Sequence, residues 1–128
     1  MDQGDCFFNK AAPGLPSHPW IILSFPPDDP SNVVIVNLTD AANHDDKSCV
    51  LKPSDHPGVI TKTSCVNYRD AIITDMATLQ HAKKSGLLDL KPPVPDDTLD
   101  KIISGAVETD ELRNAIRALL RQQGILPE

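Results

Sequence analysis

Val33-Val34-Ile35-Val36-Asn37-Leu38-Thr39 opens with four β-branched residues in succession. Such a run has no polar alternation, so it predicts a strand in the middle of a sheet with both faces covered. On either side the chain falls into short apolar runs separated by turn residues, the pattern of an all-β barrel or sandwich. Strands are expected at 6–9, 20–25, 33–39, 49–52, 64–67 and 71–74. Eight of the twelve prolines lie between residues 13 and 57 and cut this half of the chain into short pieces. Pro13, Gly14 and Pro16 make 11–17 a loop, and the polar stretch 40–48 makes another.

After Asp75 the apolar period changes from 2 to 3.6. Asp75 can cap a short helix over 76–85 that Gly86 stops. Lys91-Pro92-Pro93-Val94-Pro95 reads as a stiff linker. Asp96 or Asp97 then caps a second helix, in which Leu99, Ile102, Ile103, Ala106 and Val107 form one apolar stripe. Leu112, Ala115, Ile116, Leu119 and Leu120 repeat the spacing in a third helix that ends before Gly124. The expectation is one compact domain: a barrel core over 1–75 and a helical extension over 76–128 packed on it.

Charge divides at the same place. Residues 1–75 carry 10 acidic and 5 basic side chains, and residues 76–128 carry 8 and 7, giving the overall net charge of -6. An acidic chain argues against strong non-specific nucleic-acid binding, which draws its affinity from Lys and Arg on phosphates. No run of apolar residues is long enough for a transmembrane helix. The segment Met1-Asp2-Gln3-Gly4-Asp5 lacks the basic and apolar regions of a signal peptide, so a cytoplasmic location is expected. Cys6, Cys49 and Cys65 are too widely spaced for a disulfide framework or zinc site, and each sits in an apolar strand as a buried thiol.

Two His-Pro dipeptides, His18-Pro19 and His56-Pro57, are the candidate chemistry. Histidine is the side chain whose ordinary titration spans neutral pH, which suits it to general acid–base work. Proline after each biases it toward extended geometry. The carboxylates are scattered, without metal-ligand spacing, so no metal or cofactor is expected. There is no phosphate loop, dinucleotide fingerprint or nucleophile elbow. Arg113, Arg117 and Arg121 form a basic ridge, either a solvated face near a helix C-terminus or a contact for phosphate.

In this order the motifs resemble the MazF/PemK-type toxins of bacterial toxin–antitoxin pairs. Gly4-Asp5-Cys6-Phe7-Phe8 is similar to the family's opening strand. His18-Pro19-Trp20-Ile21-Ile22-Leu23-Ser24 resembles its Arg-Pro strand, and Val33–Thr39 the strand ending in Leu-Thr or Ile-Thr. Residues 66–75 stand where the family's barrel ends, so the resemblance spans residues 4–85. It implies a mainly β fold, a small SH3-like barrel of the PemK/CcdB type with appended C-terminal helices. It also implies a homodimeric, metal-independent endoribonuclease that cleaves single-stranded RNA by 2′-hydroxyl attack and is neutralised by a cognate antitoxin.

The family's phosphate-binding threonine maps onto Thr39, and its catalytic arginine onto His18. Arginine is a fixed cation, whereas histidine exchanges protons, so the chemistry must differ here. The expected site has His18 and His56 as the acid–base pair, with Thr39 and either Lys52 or Arg69 holding phosphate. Tyr68 would stack on a base; Trp20, which opens an apolar strand, is read as core. A non-catalytic binding module on the same barrel is the competing expectation, because a fold does not fix a function.

Overall fold

A computed structural model describes residues 1–10 and 18–128; the loop expected over 11–17 lies outside the described residues. The strands are β1 (Cys6–Asn9), β2 (Pro19–Ile22), β3 (Val33–Asp40), β4 (Val50–Leu51), β5 (Ser64–Thr74) and β6 (Leu88–Lys91). The helices are α1 (Met76–Lys84), α2 (Asp96–Glu108) and α3 (Asn114–Gln122). The fold is mainly β. One antiparallel sheet, in the order β4-β5-β3-β2-β1-β6, curls into a half-barrel.

β3 is central, as its β-branched run requires, with β2 on one side and β5 on the other. Its side chains alternate between two cores. Val34, Val36 and Leu38 join Ile21, Val66 and Tyr68, which pack against Ile102 and Ala106 of α2 and Ile116 and Leu120 of α3. Val33 and Ile35 face the other way, into a smaller cluster with Phe7, Ile22 and Leu79 of α1. A strand apolar on both faces therefore had a partner waiting on each.

The two strands expected at 64–67 and 71–74 are one. β5 runs unbroken through Tyr68-Arg69-Asp70, although the polar pair reads as a turn. Its pairing with β3 jumps from Asn37–Asn67 to Ile35–Ile72, and the excess residues bulge out of the ladder. A bulge absorbs the irregularity without ending the strand.

The expected linker from Lys91 is also revised. Leu88–Lys91 forms β6, which pairs with β1 from Asn9–Leu88 to Cys6–Lys91. The sheet thus draws its sixth strand from beyond Asp75. Asp75 does cap α1, its Oδ1 accepting from the Thr78 N–H at 2.7 Å, and Gly86 follows the helix at φ +73°. Asp96 and Asp97 do not cap α2: Pro95 holds that position and both carboxylates lie in the first turn. There they complement the positive end of the helix dipole.

Two members of the basic ridge are structural. Arg117 donates to Ala106 O at 2.9 Å and Thr109 O at 2.6 Å, closing the C-terminal end of α2. Arg113 donates to Ala71 O of β5 and ties α3 to the sheet. All three cysteines are buried and free. No helix among the described residues is long and apolar enough to cross a membrane.

Candidate functional site

Antiparallel pairing brings particular strand ends together. Phe8 pairs with Pro19, Thr39 with Cys65 and Asp40 with Ser64, so the end of β1, the start of β2, the end of β3 and the start of β5 meet at one rim. The segment after His56 turns where the Val59 and Ile60 N–H groups both donate to His56 O, at 3.2 and 3.1 Å, and Val59 and Ile60 lie against the same rim. The result is a cleft of about 620 Å³. Phe8, Pro19, Leu38, Val59 and Ile60 make its apolar wall. Its polar lining includes His18, Thr39, Asp40, Lys62 and Ser64.

His18 and Thr39, nominated from sequence on separate segments, therefore line one cleft. His18 is exposed and Thr39 half-buried. Opposite charges also meet there: Lys62 Nζ lies 2.8 Å from Asp40 Oδ2. The Asp40 carboxyl is held below the usual carboxylate range by its hydrogen bond to Lys62 and by the Ala42 N–H at 3.0 Å.

The other candidates are not brought to this rim, and their placement corrects the expectation. His56 is only 4% exposed, and its Nε2 lies 2.8 Å from Pro92 O. Pro92 follows Lys91, the partner of Cys6, at the opposite end of β1 from Phe8. The expected acid–base pair of imidazoles is thus not assembled; His56 instead pins its loop to the segment after β6. Tyr68 is fully buried and its hydroxyl donates to Ile102 O at 2.6 Å, so no base can stack on it. Arg69 forms a bidentate pair with Glu111, both bonds at 2.9 Å, and does not line the cleft. Lys52 is exposed beside the short 3-10 turn Pro53–Asp55, also outside the cleft. Trp20 is half-buried and packs against the smaller core.

Asp40, Lys62 and Ser64 were missed. Their signal was positional: Asp40 ends the central strand, and Lys62 and Ser64 flank the start of its neighbour. Among the described residues no three of His, Cys, Asp and Glu are grouped so as to hold a metal ion. Comparison with protein-family models, curated proteins and solved structures finds no match to this chain.

Proposed function

We propose that the half-barrel is a PemK/MazF-like toxin of the SH3-like type, and that its rim cleft takes the phosphodiester backbone of single-stranded RNA. In this reading the protein is a metal-independent endoribonuclease. The 2′-hydroxyl attacks the adjacent phosphorus, the 5′-oxygen leaves, and a 2′,3′-cyclic phosphate and a 5′-hydroxyl result. His18 moves the proton, while the Thr39 hydroxyl and the Lys62 ammonium donate to the charge that develops on phosphorus. A homodimer, a neutralising antitoxin and a cytoplasmic location belong to the same proposal.

The observation that carries it is the convergence of His18, just before β2, and Thr39 of β3 on one cleft. With one imidazole there instead of two, one proton transfer falls to water. A positioned acid or base contributes roughly 10²–10⁴-fold, so cleavage should be slower than at a paired site by about that factor.

A second reading has its own support. Lys62 is already paired with Asp40, and His56 is committed to Pro92 O, which favours a non-catalytic binding module. Incubation of the purified protein with long single-stranded RNA in EDTA, followed by end-group analysis, separates the two. Cyclic phosphate ends that disappear with His18→Ala and Thr39→Ala support cleavage. Retained binding with no new ends supports the module. Absence of both cleavage and binding refutes the RNA reading.

A further inference from the structure

Resting on the reading of the rim cleft as a phosphate site, we propose that Asp40 is a built-in competitor for that site. Its carboxylate occupies the Lys62 ammonium until an incoming phosphate displaces it, and so sets how tightly the cleft holds anions.

The two partners are held very differently. Asp40 Oδ1 accepts the Ala42 N–H at 3.0 Å, which fixes the carboxylate at the start of the 3-10 turn Ala41–Asn43. Its side chain is 29% exposed, whereas that of Lys62 is 67% exposed. The acid is therefore the fixed member and the lysine the mobile one. An ion pair this exposed is weak in water, because solvent screens it and the long side chain loses freedom to form it. A phosphate diester entering the cleft would meet the Thr39 hydroxyl and His18 while offering Lys62 an alternative anion.

Asp40 remains after the exchange as a fixed negative charge beside the ligand. The cleft thus combines one cation that can change partners with one anion that cannot. This matches the acidic character of the chain: the site admits a phosphate only when several donors act together, and a lone carboxylate or chloride gains too little to displace Asp40. Asp40 is accordingly a specificity-determining residue of the proposed reaction.

The test uses two probes on the full chain. The first is a labelled single-stranded oligoribonucleotide with 2′-O-methyl sugars, which binds but cannot be cleaved, read by fluorescence anisotropy. The second is inorganic pyrophosphate, followed by amide chemical shifts of Thr39, Lys62 and Ser64. Asp40→Asn keeps an acceptor for the Ala42 N–H, so the fold is preserved. It should tighten both probes by roughly three- to tenfold, the span for removing one nearby like charge at partly screened distance. Lys62→Ala should weaken both, and in the Asp40→Asn/Lys62→Ala double variant the gain should shrink to the part that relief of like-charge repulsion alone supplies.

A gain of undiminished size without Lys62 would make Asp40 a simple repelling charge and overturn the competition. So would an Asp40→Asn variant that binds pyrophosphate no better than the parent. If the oligoribonucleotide binds no variant while pyrophosphate shows the coupling, the RNA reading fails and the competitor role stands. If neither probe binds any variant, both fall.

Discussion

Tyr68, Gly105 and Cys49 meet where α2 crosses β5, and their contact shows what a single atom decides here. A Cβ on Gly105 would lie 2.7 Å from Cys49 Cβ and would overlap the Tyr68 hydroxyl. Gly105→Ala should therefore push α2 off the sheet and cost about 3 kcal/mol, the upper end for overpacking a core. Tyr68→Phe removes the hydrogen bond to Ile102 O and the hydroxyl's contact with the Cys49 thiol, and should cost about 1–2 kcal/mol without changing anion binding at the rim. Chemical denaturation of the two variants, with the oligoribonucleotide titration for the second, checks both values. Loss of RNA binding in Tyr68→Phe would place the Tyr68 hydroxyl in the site. The burial of Tyr68 was hidden in sequence because its neighbours Arg69 and Asp70 are polar and mark the triplet as a turn. The burial of His56 was hidden because a His-Pro dipeptide reports extended backbone, not the side on which the ring lies.

At the scale of elements, legibility followed the strength of the period. β3 could be read because its β-branched residues leave no alternative, and α3 because its apolar spacing persists for more than two turns. β6 is four residues of alternating Leu-Asp-Leu-Lys between Gly86 and a proline run. That alternation is a real strand signal, but it is too short to outweigh the prolines beside it. The bulge in β5 was invisible because it belongs to the pairing with β3, not to either strand alone. The ridge of arginines was legible as a ridge, yet its use was not, since the acceptors are carbonyls of α2, β5 and the residue after α2. Arg117→Met should therefore leave the two carbonyls at the end of α2 without their cap and cost about 1.5–3 kcal/mol, the range for hydrogen bonds to a charged group. Arg69→Ala should leave Tm nearly unchanged, because its pair with Glu111 is exposed and screened. Thermal melts of both variants test the contrast; equal losses would contradict it.

For the whole molecule, the ionisable groups frame stability from both sides of pH. Asp46 is held below its usual range although burial works to raise it, because Ser48 and Thr109 donate to it, Thr109 at 2.6 Å. Asp55 is lowered by Lys101, 2.6 Å away on α2, and by the Lys52 N–H at 2.8 Å. These carboxylates tether the loops around β4 to α2 and the residue that follows it. A lowered carboxyl stabilises the fold fully above its unfolded value, near pH 4, and this contribution is lost as pH falls through the folded value. The thiols act in the opposite sense. Burial pushes Cys6 up to about 12 and Cys49 to about 11, and it raises Cys65 as well. A raised thiol stabilises fully below its ordinary value of 9.0 and loses this as pH climbs toward the folded value. At about pH 10.5, Cys6 alone should remove roughly 2 kcal/mol, taking 1.36 kcal/mol per pH unit above the ordinary value. The melting temperature should therefore be level between about pH 5 and about pH 8, and fall on both sides. Below the alkaline limb the native thiols should resist a disulfide reagent at about pH 8 and all react once the chain is unfolded, since only the thiolate attacks. Asp46→Asn should blunt the acid limb and spare the alkaline one, whereas Cys6→Ala should blunt the alkaline limb and spare the acid one. Melts by circular dichroism across this range decide the matter: a curve that stays level into acid, or thiols that react at once in the native protein, would refute this account of the buried and tethered groups.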